Sequence, residues 1–255
     1  MKTIPVIIPY FCAEEELQKC LSALEDQSYK PIDIFVRDNS IDNILFIAAI
    51  NEGLQKYSSN KDIDYILILN QDAYVQKETI RFLVKSMEAD ENCGIACPIQ
   101  ISSKDNSIYW GGGFEAFPFG RHQGGSLSEY SKDFDTYWAN GACMLLRVKM
   151  IREIGFFDKN MKFICSDSDY SYTARSRGWK VKVAHQAHVY HSAGACGSVE
   201  NSFINTIKNQ DAIYFAKKWL NGDLYKSLSY DGEKLTRMKI QTLIQNLESA
   251  ARNNV

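Results

Sequence analysis

Apolar and polar positions fall in short blocks along this chain. The most concentrated block is Tyr65-Ile66-Leu67-Ile68-Leu69, which stops at Asn70-Gln71-Asp72. Five apolar residues are too few to cross a membrane and read as a strand buried on both faces. The abrupt stop puts polar oxygens just past the strand's carboxyl end, where open α/β sheets bind their ligands. A carboxylate there can hold a hard divalent cation, and the cation a diphosphate; a simple strand-end turn is the plain alternative.

Similar blocks precede and follow it. Thr3-Ile4-Pro5-Val6-Ile7-Ile8-Pro9-Tyr10 reads as a first buried strand. Glu14, Glu15 and Glu16 then supply the acid that favours a helix's first turn, with Leu17, Cys20, Leu21 and Leu24 as its apolar stripe. A second strand over 32–36 runs into Arg37-Asp38-Asn39-Ser40-Ile41-Asp42, and a helix over 44–57 carries Ile47, Ile50 and Leu54 on one face. Strand, helix, strand, helix, strand implies a parallel sheet with right-handed crossovers and a nucleotide-type crevice.

Further on, the pattern predicts a helix over 80–87 and a strand over 94–99. Residues 102–135 are irregular, and Trp110-Gly111-Gly112-Gly113-Phe114 suits either a loop over a pocket or a surface hairpin. Buried character returns at 141–146. A helix over 168–177 closes on Gly178, a C-cap signal, with Ser166 and Asp169 spaced as a capping box at its start. Residues 179–184 alternate like a half-buried strand leading to His185, His188 and His191, which fit either metal ligation or a surface stripe. From 202 the chain is helical in character. Its last stripe, Ile240, Leu243, Ile244 and Leu247, has a Gln- and Asn-rich polar face. That suits packing on the domain or on a partner, a second copy of the chain included, better than a basic membrane anchor.

Composition narrows the function. The 255 residues, 45% hydrophobic and 24% charged, are ordinary for a globular chain, and a net charge of −2 gives no footprint for nucleic acid. Seven cysteines without a Cys-x-x-Cys pair fit reduced thiols. No signal-peptide pattern and no membrane-length apolar run stand out. The expected setting is the cytosol, including the inner face of a membrane.

Several motifs follow one another in a fixed order. They are Pro9-Tyr10, Asp38-Asn39-Ser40-Ile41-Asp42, Asn51-Glu52-Gly53, Asn70-Gln71-Asp72, the run Gly141-Ala142-Cys143-Met144-Leu145, Gly155-Phe156-Phe157-Asp158, Asp167-Ser168-Asp169 and His191. Over Ile4 to Ala195 the chain thereby resembles the family 2 glycosyltransferases of the GT-A fold, and most of all their rhamnosyltransferase-like branch. The resemblance implies a Rossmann-like, mostly parallel sheet flanked by helices. It also implies a glycosyltransferase domain over 1–200, with a donor half to about 100 and an acceptor half after it; the helical character from 202 onward makes 201–255 a C-terminal helical extension. The implied activity is inverting transfer from a UDP- or dTDP-sugar to a hydroxyl of a glycan or lipid-linked glycan in surface polysaccharide assembly, with Mn²⁺ or Mg²⁺.

The resemblance also carries roles. Pro9, Tyr10, Asp38, Asn51, Asn70 and Asp72 would bind the donor, Asp38 by reading the base. Asp72 and His191 would hold the metal, Asp167 would be the general base and Asp169 would meet the acceptor; the glycine- and aromatic-rich stretch itself, not the resemblance, adds Trp110 and Gly112 as acceptor contacts. Two departures bear on the metal and the base: Asn70 stands where the family has an acid, and Ser166 replaces the acid before Asp167. They leave open a catalytically silent glycan-binding subunit. A sugar nucleotidyltransferase would want a glycine-rich, basic loop after the first strand, where Pro9-Tyr10-Phe11-Cys12 has neither glycine nor lysine. Asp38 could equally form an Asx turn, and Arg175 and Arg177 read as solvated helix positions rather than phosphate ligands.

Overall fold

The computed structural model describes residues 1–113, 122–192, 202–220, 245–246 and 248–249. Its first half is the alternation read from the sequence: β1 (Ile4–Tyr10), α1 (Glu14–Glu25), β2 (Ile32–Asp38), α2 (Leu45–Tyr57) and β3 (Tyr65–Leu69). β1 pairs in parallel with both β2 and β3. Its apolar run is uninterrupted because successive side chains serve two cores. Ile7, Ile66 and Ile68 pack with Ile47, Ile50 and Leu54 of α2, while Val6, Ile8, Leu67 and Leu69 pack with Leu17, Cys20 and Leu24 of α1. Burial on both faces is what a strand covered by helices on each side requires.

The chain continues through β4 (Ala73–Val75), α3 (Thr79–Glu88), β5 (Cys93–Ser102), β6 (Ile108–Trp110), β7 (Phe134–Asp135), β8 (Cys143–Arg147), α4 (Val148–Ile154), α5 (Ser166–Ser176), β9 (Lys180–His191) and α6 (Ser202–Phe215). A π-helical turn, Ala216–Leu220, follows α6. The sheet order is β2-β1-β3-β8-β5-β9-β4, with β6 added to β5 and β7 to β9. β1, β2, β3, β5 and β9 run the same way, so the sheet is mostly parallel. β8 is reversed between β3 and β5, and this reversal builds the site. Leu69 at the end of β3 pairs with Cys143 at the start of β8, so the loop entering β8 meets the loop leaving β3.

One local expectation differs from what forms, one of two stated alternatives is chosen, and one lies outside the described residues. α5 begins at Ser166, with Cys165 in the left-handed region (φ 61°) and no capping side chain, so the Ser166–Asp169 capping box is absent. Both residues are buried instead, at 4% and 2% exposed. The glycine-rich stretch opens as an antiparallel β5–β6 pair rather than a free loop, and residues 114–121 lie outside the described set. The stripe of Ile240, Leu243, Ile244 and Leu247 also lies outside the described residues.

Phe215 and Trp219 join the main core, with the Trp219 ring 5.4 Å from that of Tyr172. Among the described residues, every cysteine is a free thiol and no helix is long and apolar enough to cross a membrane.

Candidate active site

A cavity of about 740 Å³ opens at the carboxyl ends of β1 and β3. That volume is in the range of sites for drug-sized and nucleotide-sized ligands. Its walls come from four stretches: Pro9-Tyr10-Phe11 after β1, Asn70-Gln71-Asp72 after β3, Asn140-Gly141-Ala142 before β8, and 163–167 before and into α5. Asn39, Asn43, Leu45, Phe46, Tyr109, His191, Phe203 and Ile204 complete it.

Short polar clasps hold these loops in register. Gln71, 2% exposed, accepts from Phe11 N through Oε1 at 2.6 Å and donates from Nε2 to Phe11 O at 3.2 Å, locking the β1 and β3 exits together. Asn70 N donates to Ala142 O at 2.9 Å, and Asn39 N to Tyr10 O at 2.8 Å. Strain gathers at the same place. Asn43 (φ 26°), Leu45 (φ 69°) and Cys165 (φ 61°) all line the cavity in a region that costs a side-chain-bearing residue about 1–2 kcal/mol.

Asp72 and His191 face each other inside it. The Nε2 of His191 lies 3.4 Å from Asp72 Oδ1, with side chains 9% and 7% exposed. β4 pairs with β9 so that Ala73 sits opposite His191, which brings the two together. The other ring nitrogen, Nδ1, is 3.2 Å from Gln100 Oε1, and the Tyr109 ring stands edge-on at 5.5 Å. Asn70, next in the same wall, has a buried Oδ1 without a hydrogen-bond partner.

A buried orphan oxygen, a carboxylate and an imidazole nitrogen form an oxygen-and-nitrogen donor set that fits Mn²⁺ or Mg²⁺. Two ligands each about 2.1 Å from one ion stand about 3–3.5 Å apart, as Asp72 and His191 do. Among the described residues no group of three His, Cys, Asp or Glu gathers at one point.

Asp167 reaches the cavity from the first turn of α5. Its Oδ2 accepts from Gly141 N at 3.0 Å and its Oδ1 from Ser168 N at 2.8 Å. Burial pushes its pKa above 3.8, and those two N–H groups pull part of the way back. Each carboxylate oxygen keeps a free lone pair, so the group can still accept a proton.

Other expected site residues do not come to the cavity. Asp38 is exposed, and its Oδ1 accepts from Ser40 N at 2.7 Å in the Asx turn; its neighbour Asn39 lines the wall instead. That hydrogen bond, first among the causes, lowers the Asp38 pKa below 3.8. Asn51 is turned away from the donor side. Its Nδ2 donates to Phe157 O and its Oδ1 accepts from Phe157 N, both at 3.0 Å, so its amide is spent holding residue 157 to α2.

Trp110 is fully buried with its ring 5.6 Å from that of Trp138, so it presents no surface to an acceptor. Gly112 (φ 114°) packs where a Cβ would fall 2.9 Å from the Phe134 ring. Asp169 points into the core, where Oδ1 accepts from Trp219 Nε1 and pairs with Lys218 at 2.7 Å. Arg175 lies over the Tyr137 ring at 4.9 Å. The three histidines part company: His185 Nδ1 meets Asp133 at 2.6 Å, His188 Nε2 meets the His185 carbonyl at 3.0 Å, and His191 alone lines the cavity.

Some positions escaped the sequence reading. Asp211 of α6, 1% exposed, accepts the backbone N–H groups of Lys162, Phe163 and Ile164 at 2.7–3.1 Å. It thereby sets the loop that carries Phe163 and Ile164 into the cavity wall. An aspartate in the middle of a helical run was the only signal. Gln71 was visible within its triplet but not as a clasp.

The family described as Glycosyl transferase family group 2 matches residues 65–249. No curated protein matches the chain. Among solved structures the chain is similar to S. aureus TarS, with a TM-score of 0.58 and 12% identity over 100% of this chain and 43% of that one. It is also similar to GalNAc-T7, solved with UDP, GalNAc and Mn²⁺, with a TM-score of 0.59 and 12% identity over 99% of this chain and 55% of that one. The chain thus spans about half the length of the structures it matches, and the likeness shows the fold, a GT-A arrangement.

Proposed function

Because the chain belongs to glycosyl transferase family group 2, we propose that it transfers a sugar from a nucleotide-diphosphate sugar to a hydroxyl of a glycan acceptor, with inversion. One observation carries this reading: a single cavity joins Asn70, Asp72 and His191 on one wall to Asp167 on another. The diphosphate belongs beside the first group and the attacking hydroxyl beside Asp167.

In the reaction the acceptor oxygen attacks the anomeric carbon of the sugar as its proton passes to a free lone pair of Asp167. The bond from that carbon to the diphosphate oxygen breaks, and the nucleoside diphosphate leaves with the electron pair. Attack from the side opposite the leaving group inverts the centre. Gly141 N–H and Ser168 N–H hold the carboxylate in place, so it spends little entropy in reaching the hydroxyl. Asp72, His191 and the Asn70 carbonyl would hold Mn²⁺ or Mg²⁺, which when bound neutralises charge on the departing diphosphate.

The donor is a UDP- or dTDP-sugar, and the motifs favour the rhamnosyltransferase-like branch. On this reading residues up to about 100 handle the donor and 101–200 the acceptor, a free or lipid-linked surface glycan, in the cytosol or at the inner face of a membrane. Calorimetric titration with UDP, dTDP and GDP, with Mn²⁺ and then with EDTA, tests it. At least one should bind, more tightly with Mn²⁺; a folded protein that binds none would overturn the reading.

A further inference from the structure

Gln100 of β5 is fully buried beside the site without lining it. Its Oε1 lies 3.2 Å from His191 Nδ1, while its Nε2 has no hydrogen-bond partner. The cross-strand neighbour of Gln100 is Trp110, whose indole N–H is also unmatched, so the core gives this amide no acceptor on that side. Burying unmet amide donors lowers stability, and a methionine would fill similar space without that cost. Packing alone therefore does not account for a glutamine here.

We propose that Gln100 is a positioning residue for the cation site, fixing which nitrogen of His191 faces the cavity. A neutral imidazole carries one N–H. An amide oxygen at Nδ1 calls for that proton at Nδ1, which leaves the Nε2 lone pair directed at the space beside Asp72 Oδ1, 3.4 Å away. Two acceptors facing each other at that distance repel unless a cation lies between them. Gln100 thus holds His191 as a ligand in waiting, and the edge-on Tyr109 ring at 5.5 Å restrains the imidazole from the open side. Outer partners of this kind commonly change metal affinity by about 10–100-fold when removed. The inference rests on the donor-site reading above.

The first test needs no variant. Long-range ¹H–¹⁵N spectra of the ¹⁵N-labelled full chain at pH 8, without metal, report the His191 tautomer directly. The expected result is the Nδ1–H form. An Nε2–H form would mean that the amide is turned to donate to Nδ1, and would overturn the proposal.

The second test measures Mn²⁺ affinity in the presence of UDP by electron paramagnetic resonance. Gln100→Met should weaken binding about 10–100-fold and release the tautomer preference. Gln100→Glu, which can still accept from Nδ1–H, should keep both. Unchanged Mn²⁺ affinity in a folded Gln100→Met variant would overturn the role assigned to Gln100 while leaving the donor site intact. A wild-type protein that binds no Mn²⁺ with UDP would instead overturn the metal reading, and with it the purpose assigned to this glutamine.

Discussion

Asp167 is held from outside its own helix: its Oδ2 accepts from Gly141 N at 3.0 Å. The same loop accepts from Asn70 N through Ala142 O at 2.9 Å, so the carboxylate and the end of β3 share one frame. The proposed transfer, between a donor diphosphate beside Asp72 and an acceptor hydroxyl beside Asp167, would need the two walls held in register in this way.

This arrangement predicts the acid side of the pH profile. Burial raises the Asp167 pKa above 3.8, and the base works only when ionised. Transfer should therefore fall as pH drops through that raised value and level off above it. In Asp167→Asn the acid limb should vanish and turnover drop by about 10²–10⁴-fold with donor affinity unchanged. The stability sign is opposite. A raised pKa favours the protonated folded form, a contribution present below 3.8 and lost as pH rises through the folded value. At neutral pH the desolvated carboxylate weighs against folding, whereas Asp167→Asn turns one of its two acceptor oxygens into an NH₂ that leaves the Gly141 or Ser168 N–H unmet; the two effects oppose each other, so the melting temperature should move little. Initial rates across pH and melting temperatures check both.

For the metal, Asp72→Ala should abolish stimulation by Mn²⁺ and leave weak, metal-independent diphosphate binding, because on the proposed reading Asp72 would hold the cation that neutralises the diphosphate. Titrating UDP into both proteins with and without EDTA decides it. Wild-type binding indifferent to EDTA would give Asp72 some other task.

Asn51 should behave as a structural residue. Asn51→Ala removes two hydrogen bonds of 3.0 Å and strands the backbone groups of Phe157, at a cost of about 1–3 kcal/mol. The unfolding free energy from denaturant titration should fall by that amount while the dissociation constant for UDP does not change. A selective loss of nucleotide affinity would restore Asn51 to the donor site.

How much of this could be read from residue order depends on the distance between partners. The strand and helix blocks of the first 70 residues declare themselves because burial on both sheet faces demands unbroken apolar runs. The wall Asn70-Gln71-Asp72 and the placement of Asp167 and His191 at the cavity follow from that pattern and the motifs. Asn51 and Asp169 were drawn to the site by motif order, and Trp110 and Gly112 by the glycine- and aromatic-rich stretch; yet the side chains of Asn51, Trp110 and Asp169 are claimed by Phe157, Trp138 and Lys218, and the Gly112 backbone lies against the Phe134 ring. Asn51 and Phe157 are 106 positions apart, and no local pattern announces such a pair. Asp38 shows a different case: its Asx turn is local and was the stated alternative, yet the motif match assigned the residue to base reading instead.

Asp169 and Lys218 give a second stability test. Lys218 pairs with Asp169 at 2.7 Å and Asp158 at 3.0 Å, and the Asp169 side chain is only 3% exposed. Lys218→Met would leave a buried carboxylate served mainly by the Trp219 N–H. We expect a loss of about 2–3 kcal/mol, below the range for fully buried pairs because the Lys218 side chain is 30% exposed. Asp169→Asn should also lower the melting temperature while leaving transfer and donor binding intact, whereas Asp167→Asn loses transfer. If Asp169→Asn instead loses transfer with its stability unchanged, the catalytic carboxylate has been misassigned.

The most direct measurement is release of nucleoside diphosphate from UDP-, dTDP- and GDP-sugars by the purified chain, with and without Mn²⁺, in wild type and Asp167→Asn. Water can stand in slowly for the acceptor. The expected result is slow, Mn²⁺-stimulated release from at least one donor by the wild type, falling to near background in Asp167→Asn, which should still bind that nucleotide. A folded wild-type protein that binds a nucleotide diphosphate yet releases none from any of these donors would contradict the account and leave a glycan-binding subunit without catalysis.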